Sequence, residues 1–112
     1  MLNRCVMTVR AKQPFLDWVK TRPEFAKTTL DQWNEDGVAY LLPMVEDERD
    51  GLDSLIPLCY EMLFERELAA WCDDPQGWPA KRDLVTFLQW FEPQLRSVVI
   101  DLVDAPLEDD EA

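Results

Sequence analysis

The stretch of sequence that decides the fold is LDSLIPLCYEMLFERELAAWC, residues 52–72, the longest run that is typical of one helix. Its apolar residues fill one stripe and spread to both flanks of that stripe. A surface helix has a single apolar stripe, whereas a helix that is apolar around most of its circumference is buried on more than one side. We therefore predict a central, buried helix over residues 52–72, capped by Asp53 or Ser54 and with Pro57 in its first turn.

Three shorter runs are typical of β-strands. Residues 5–11 and 97–104 alternate in side-chain direction with period two, and residues 38–45 are apolar on both faces, with Pro43 at a sheet edge or at the strand's exit. The chain between the first and second of these strands is long enough for a parallel crossover, and the last strand fits either direction. We expect a three-stranded mixed or parallel sheet.

Further helices are expected on both sides of the central one. A short amphipathic helix starts near Pro14, a further turn or short helix follows Thr29 as its N-cap, and another helix covers residues 80–91. The element order is then β-α-β-α-α-β, an α+β or small α/β fold with helices packed against the sheet. We assign residues 1–104 to a single domain and residues 105–112 to an acidic C-terminal tail.

Charge is distributed unevenly along the chain, which has a net charge of −12. Residues 1–27 carry six basic and two acidic side chains, a balance of +4, and the remainder carries five basic and 21 acidic side chains, a balance of −16. An acidic surface repels phosphate backbones and attracts basic proteins. We expect a protein partner with a basic surface and no nucleic acid, although solubility alone also accounts for such a charge.

The chain lacks the residues that several common kinds of catalytic, metal-binding and phosphate-binding site require. It has no histidine, its three cysteines are far from a C-x-x-C spacing, and it has no glycine-rich phosphate loop. Residues 46–53 are expected to form a solvated acidic loop that turns at Gly51. They resemble the start of a calcium loop, but Pro57 stands where a bidentate glutamate is required and Arg49 lies among the ligand positions. We therefore expect no metal, no cofactor and no catalytic residue.

The cysteines and the hydropathy favour a cytoplasmic protein. Cys5, Cys59 and Cys72 cannot all form disulfides, and two of them lie in apolar elements, as buried reduced thiols do. No apolar run approaches the roughly 20 residues that a membrane helix needs, and the N-terminus lacks the apolar segment of a signal peptide. We expect no contact with a membrane.

Five residues are candidates for contact with a ligand or partner. Asp101 stands among valines in the last predicted strand, and a buried carboxylate needs a partner, for which Arg82 and Lys12 are the candidates. Together with Trp78 such a pair would form a cleft, although buried ion pairs are more often structural. Trp33 and Trp78 fall in predicted loops, where aromatic side chains favour contacts with other proteins.

Several clusters along the chain occur together in a known family. They are Lys12-Gln13-Pro14-Phe15 with Asp17-Trp18, Tyr40-Leu41-Leu42-Pro43, Trp78-Pro79 with Arg82, Trp90-Phe91, and Ser97-Val98-Val99-Ile100-Asp101-Leu102. Over nearly its whole length the chain resembles a family of small, uncharacterised bacterial proteins of about this size. The resemblance implies a compact bacterial cytoplasmic domain with no assigned activity. The family often has a histidine at the position of Arg96.

These observations favour a small acidic protein-binding module without catalytic activity, which contacts another protein through its negative face and an exposed strand edge. Three short strands leave two edges to be covered, so a homodimer also fits the sequence. One alternative is a small-molecule-binding protein or enzyme that uses Asp101, Arg82 and Trp78 in a cleft. Another is an inhibitor of the immunity type that mimics nucleic acid with its carboxylates.

Overall fold

The computed structural model describes residues 1–35 and 37–109, so residues 110–112 of the expected acidic tail lie outside the described residues. Its regular elements are β1 (Arg4–Ala11), α1 (Gln13–Val19), α2 (Leu30–Glu35), β2 (Ala39–Pro43), α3 (Glu48–Ala69), α4 (Leu84–Trp90) and β3 (Phe91–Arg96). Single 3₁₀ turns lie at Pro23–Phe25 and Pro75–Gly77. Helices that pack on one antiparallel sheet make the fold α+β, the first of the two classes that the sequence predicted.

The sheet is antiparallel throughout, with the strand order β2-β1-β3, so the predicted mixed or parallel sheet is wrong. The reason lies between β1 and β2. The helices α1 and α2 have only seven and six residues, and the side chain of Asn34 in α2 bonds both the N–H and the C=O of Ala11, the last residue of β1. The chain therefore enters β2 at the end where β1 stops and runs back antiparallel to β1.

The observed third strand, β3, precedes the strand predicted at residues 97–104, which lie in no strand of the structure. The strand around Pro93 was not predicted, because a proline after residues 80–91 usually marks only the end of a helix. Pro93 nevertheless lies within β3, opposite Val9. Hydrogen bonds of an antiparallel ladder fall on every second residue, and the N–H of Lys12 donates to the carbonyl of Trp90 at 2.8 Å. Pro93 is therefore at a position between the bonded pairs, on an edge strand, where a missing N–H costs the ladder no hydrogen bond.

The central helix, α3, begins at Glu48, four residues before the predicted start at residue 52. It ends at Ala69, three residues before the predicted end at residue 72. The side chain of Asp47 accepts hydrogen bonds from the N–H groups of Arg49 at 2.8 Å and Asp50 at 3.1 Å. Such bonds satisfy donors that have no partner within the first helical turn. Asp47 is therefore the N-cap, and the prediction of Asp53 or Ser54 is wrong.

Two residues that usually interrupt helices lie inside α3. Pro57, predicted for the first turn, is in the helix interior, where it has no N–H to offer the carbonyl of Asp53. Gly51, predicted as a loop turn, is helical and lies against Val45, because a Cβ at Gly51 would stand 2.6 Å from Cγ2 of Val45. The glycine thus permits a close approach between α3 and the segment that follows β2.

The core lies between one face of the sheet and the helices, and it is largely aromatic. Phe15 of α1, Phe64 of α3, Phe87 of α4 and Phe91 of β3 are each no more than 1% exposed. The ring centroid of Phe91 lies 4.8 Å from that of Phe15, 5.3 Å from Phe87 and 5.6 Å from Phe64. These are separations at which tilted aromatic pairs attract each other beyond simple area burial.

The helix α3 is buried along one side and not around its circumference. Leu63, Phe64 and Leu68 are buried, while Leu58 and Met62 are 83% and 68% exposed. The prediction that this helix is buried on more than one side is therefore wrong. Because α3 belongs to the outer of two layers, only the side toward the sheet and α4 is covered.

Candidate functional site

Lys12 and Trp33, two of the predicted contact residues, lie near the end of β1. The Nζ of Lys12 donates to the carbonyl of Leu88 at 2.8 Å on the exposed surface. Trp33 is in α2 and partly buried, with its ring centroid 4.0 Å from that of Trp71 and 5.7 Å from that of Phe15. These contacts hold the short helices against the core.

Trp78, Arg82 and Asp101 do not form the predicted cleft. The indole N–H of Trp78 donates to the carbonyl of Cys72 at 2.8 Å, and the guanidinium of Arg82 lies 5.6 Å from the Trp78 ring centroid. Asp101 is exposed, and its carboxylate accepts a hydrogen bond from the N–H of Val103 at 2.8 Å. Within residues 1–35 and 37–109, no ion pair joins Asp101 to Arg82.

The parts of that predicted cleft lie at opposite ends of the sheet. The N–H of Leu2 donates to the carbonyl of Val99 at 2.7 Å, which holds the chain beside the start of β1. The chain just after α3 packs near the end of β1, where Trp71 contacts Trp33 of α2, and the indole of Trp78 is bonded to Cys72 of the same stretch. The structure therefore brings Trp78 and Arg82 together and separates both from Asp101.

The face of the sheet that points away from the helices is open to solvent. This open face consists of Arg4, Val6, Thr8, Arg10, Ala39, Leu41, Pro43, Glu92, Gln94 and Arg96. Across its centre, Val6 lies between Leu41 on β2 and Arg96 on β3. Leu41 is 52% exposed, so the middle of the open face is an apolar surface that reaches water.

The open face is basic although the chain is strongly acidic. Its charged side chains are Arg4, Arg10, Arg96 and Glu92, a balance of +2, against −12 for the whole chain. The excess of positive charge at the start of the sequence is thus placed, in part, on one side of the sheet. A basic surface of this kind attracts and orients acidic partners.

Residues 98–107, which we name the C-terminal segment, lie in no helix or strand and are exposed except for the half-buried Val99. The segment exposes five large apolar side chains: Val98 (58%), Ile100 (64%), Leu102 (92%), Val103 (70%) and Leu107 (67%). Two carboxylates, Asp101 and Asp104, lie among them. Contiguous apolar residues that face water mark interaction sites more often than single exposed ones do.

A cavity of about 560 Å³ is lined by α2, the start of β2, the C-terminal half of α3 and residues of β1 and β3. Four residues of the open face, Thr8, Arg10, Ala39 and Gln94, belong to this lining. Trp33, Asn34, Arg10 and Glu67 contribute to its lining, and we name it the Glu67 cavity. Glu67 is 7% exposed and is the one charged side chain in the described part of the chain that is buried. Glutamate is rarely buried to this extent without a partner.

The partner of Glu67 is Tyr40, whose O–H donates to Oε1 of Glu67 at 3.0 Å. Burial raises the pKa of Glu67 above its ordinary value, while the hydrogen bond from Tyr40 acts in the opposite direction because it stabilises the ionised form. Burial also raises the pKa of Tyr40, and the nearby charge of Glu67 raises it further. The pair can therefore accept a cationic group or retain a proton at the wall of the cavity.

Sequence reasoning missed Glu67, although a signal for it was present. Ile56, Tyr60, Leu63 and Glu67 follow one another at spacings of four, three and four residues, which place them on one side of α3. A single charge on an apolar stripe indicates a buried carboxylate with a hydrogen-bond partner. The identity of Tyr40 as that partner depends on the direction of β2, for which the sequence indicated a parallel pairing with β1, whereas the structure has an antiparallel one.

Among the described residues, no group of three or more histidine, cysteine, aspartate or glutamate side chains is arranged to hold a metal ion. The residues of the calcium-like loop make structural bonds: Asp47 caps α3, and Oε1 of Glu48 accepts from the N–H of Ser97 at 2.8 Å. None of the helices in that same part of the chain is both long enough and apolar enough to cross a membrane. No protein-family model, curated protein or solved structure matches the chain.

Proposed function

We propose that this protein is a small, acidic protein-binding module without catalytic activity, and that the C-terminal segment is its binding element. The observation that supports the proposal most is the exposure of five large apolar side chains within ten residues, with Leu102 at 92%. Water solvates such a surface poorly, so a partner that covers it gains free energy from burial.

The C-terminal segment has the pattern of a β-strand without a neighbouring strand. Val98, Ile100 and Leu102 alternate with Val99 and Asp101, yet the segment is outside the ladders of the sheet that the structure describes. Extended segments of this kind bind by adding to a free sheet edge or by lying across a shallow apolar surface, where alternate side chains supply the specificity. The partner in our proposal offers such an edge or surface.

The acidic charge of the segment and of the surrounding chain indicates which kind of partner surface would bind it. Asp101 and Asp104 lie within the segment, and the chain outside residues 1–27 has a balance of −16. A partner surface with basic residues around an apolar centre complements this arrangement. Electrostatic complementarity acts mainly on the association rate and on the discrimination between partners, so binding through it weakens as salt is added.

The proposal places the module in the cytoplasm of a bacterial cell. Cys5, Cys59 and Cys72 are all free thiols, which supports a compartment where cysteines stay reduced. The bacterial origin depends on the family resemblance alone and stays a prediction.

The immobilised full chain tests this function as bait in a bacterial lysate. The test variant is Ile100→Asp combined with Leu102→Asp, and the matched control is Leu58→Asp, which changes a side chain that is 83% exposed on α3. We expect the unaltered chain and the control to capture a protein and the double variant to lose it, because only the double variant replaces apolar side chains of the proposed contact with charged ones.

Salt supplies a second readout of the same experiment. Raising the salt concentration from about 0.1 M to about 1 M shortens the Debye length from about 10 Å to about 3 Å. We expect the captured protein to be released progressively over this range. Equal capture by all three chains, or capture that the double variant retains, would contradict the C-terminal segment as the binding element.

A second candidate function is the binding of a small organic cation in the Glu67 cavity. The specific observation that favours it is the buried carboxylate of Glu67, which lines the cavity together with the ring of Trp33. A carboxylate and an indole face both attract ammonium groups. Ethylammonium chloride is the probe, with sodium chloride at equal ionic strength as control, and nuclear magnetic resonance shifts as the readout. Shifts near the cavity that Glu67→Gln abolishes would support this function, and their absence would rule against it.

A further inference from the structure

We infer that the partner of the C-terminal segment is a second copy of this chain, and that the segment of each copy lies on the open face of the other. The inference rests on the proposed function and names its partner. It follows from three properties of the structure, namely the chemistry of the open face, the chemistry of the segment, and the place where the segment leaves the domain.

The open face offers an apolar centre with a basic surround. Val6 and Leu41 are adjacent across β1 and β2, and Leu41 is 52% exposed. Arg96 lies beside Val6 on the other neighbouring strand, and Arg4 lies two residues before Val6 on the same face of β1. An extended segment laid across this centre would meet apolar side chains in the middle and arginines at the flanks.

The C-terminal segment has the complementary arrangement. Ile100 and Leu102, which would lie on one side of the segment in an extended conformation, are 64% and 92% exposed. Asp104 falls on the same side as these two residues by period two, whereas Asp101 falls on the opposite side and already accepts a hydrogen bond from the N–H of Val103. Arginine binds carboxylates with two parallel hydrogen bonds, so the basic surround of the open face fits this pattern better than the acidic remainder of the chain does.

The segment leaves the domain at the end of the sheet where Arg4 and Arg96 lie. The N–H of Leu2 donates to the carbonyl of Val99, just before the start of β1, and the chain continues outward from there. The radius of gyration is 15.4 Å, against about 13 Å for a compact domain of this size. Ten extended residues span about 33 Å, which exceeds the length of about 26 Å of an eight-residue strand.

A second copy fits the exposed segment better than the chain's own sheet does. Leu102 is 92% exposed in the single chain, so the segment does not cover its own open face. In a two-fold exchange, the segment of each copy lies on the open face of the other copy. This arrangement buries two such contacts instead of one and closes the assembly at a dimer.

Sedimentation velocity over a roughly hundredfold range of protein concentration tests the dimer by mass action. The segment variant is Ile100→Asp with Leu102→Asp, the face variant is Arg4→Glu with Arg96→Glu, and Leu58→Asp is the control. We expect the unaltered chain and the control to dimerise alike, and each of the other two variants to dimerise at least about tenfold more weakly, as the loss of central contacts predicts.

Mixing the two variants tests the exchange itself. The segment variant retains an intact open face and the face variant retains an intact segment, so one of the two contacts per dimer is restored. We expect the mixture to associate more tightly than either variant alone and less tightly than the unaltered chain. A mixture that associates no more tightly than its components would overturn the exchange. Circular dichroism shows beforehand whether either variant is partly unfolded, and the single substitution Leu102→Asp then replaces the segment variant or Arg96→Glu the face variant.

The remaining outcomes separate this inference from the proposed function. A chain that stays monomeric but captures another protein through its segment overturns the dimer and leaves the proposed function standing. A face variant that dimerises as well as the unaltered chain, while the segment variant does not, shows that two segments pair with each other and overturns the role of the open face. A dimer unaffected by either variant overturns the inference altogether.

Discussion

The two faces of the same three-stranded sheet differ in almost every property. On the covered face, Met7 is fully buried and Phe91 is 1% exposed, within a cluster of aromatic rings. On the open face, the next residues along the same strands, Thr8 and Glu92, are exposed. One face therefore carries the stability of the domain, and the other is available for binding.

The comparison teaches that period-two alternation decides which side chains share a face but not whether a face is covered. Val6 and Leu41 are apolar and adjacent, yet they lie on the open face because every helix that packs on the sheet uses the other side. A chain that leaves apolar residues uncovered in this way retains surface for an additional partner. The following predictions test the contrast between the faces.

We expect the strongest contrast between two residues of β3 that lie on opposite faces of the sheet. Phe91→Ala removes a ring that contacts three other phenylalanines, and we expect it to cost about 3–5 kcal/mol of unfolding free energy because it leaves a cavity. Gln94→Ala on the open face is expected to change stability by no more than about 0.5 kcal/mol. Urea denaturation measures both, and equal losses would show that the open face is covered.

The buried pair on the covered side comes next. Tyr40→Phe removes the donor to Glu67, and we expect a cost between about 1 and 3 kcal/mol at neutral pH because a buried carboxylate loses its partner. Tyr60→Phe is the control, since the O–H of Tyr60 donates to the exposed carboxylate of Glu61 and its loss is expected to leave stability unchanged.

The effect of Tyr40→Phe is expected to depend on pH. Because burial raises the pKa of Glu67, this group's contribution to stability is full below its ordinary value of 4.5 and is lost as the pH rises through its folded pKa. The hydrogen bond from Tyr40 matters most when Glu67 is ionised, so the cost of the substitution is expected to grow from acidic to neutral pH. A cost that is the same at every pH would argue that Glu67 stays protonated.

The edge of the sheet beside α2 is the next test. Asn34→Ala removes the side chain that bonds the N–H of Ala11 at 3.0 Å and its C=O at 3.2 Å. We expect a loss of about 1–2 kcal/mol, because two partly buried backbone groups lose their partner. Gln13→Ala, which removes an exposed side-chain bond to Asp17, is expected to cost less than about 0.5 kcal/mol.

The smallest expected effect concerns the start of the helix that covers the sheet. Asp47→Ala removes the cap of α3 and is expected to cost about 1 kcal/mol. Asp53→Ala, at the cap position that the sequence indicated, is expected to leave stability unchanged or slightly increased because alanine favours helices. Thermal unfolding of both variants measures the difference, and the reverse order of stability would contradict the observed helix start.

Much of the fold could be predicted from local patterns. The period-two alternation at residues 5–11 identified β1, and Thr29 was correctly predicted as a cap, since its Oγ1 accepts from the N–H of Gln32 at 3.2 Å. The turn at Pro75–Gly77 is equally local, because the carboxylate of Asp74 accepts a hydrogen bond from the N–H of Gln76. Each of these features depends on residues that are close along the chain.

The candidate site was less predictable because its parts come from distant elements. Glu67 was identifiable as one charge on an apolar stripe, but its hydrogen bond to Tyr40 spans 27 positions of sequence. The alternation of residues 97–104 predicted a strand, and these residues do alternate in the manner of a β-strand. Residues 97–104 pair with no strand in the structure, because the strand that pairs with β1 on this side of the sheet is β3, residues 91–96.

Composition and short-range periodicity were sufficient to predict helices packed on a three-stranded sheet, the identity of β1, a long central helix and the uneven distribution of charge, but they left the α+β and α/β classes open. Only the tertiary structure decided the strand direction, the membership of the third strand and the face that the helices cover. Those features depend on contacts such as that between Asn34 and Ala11, which join residues whose proximity no local pattern specifies.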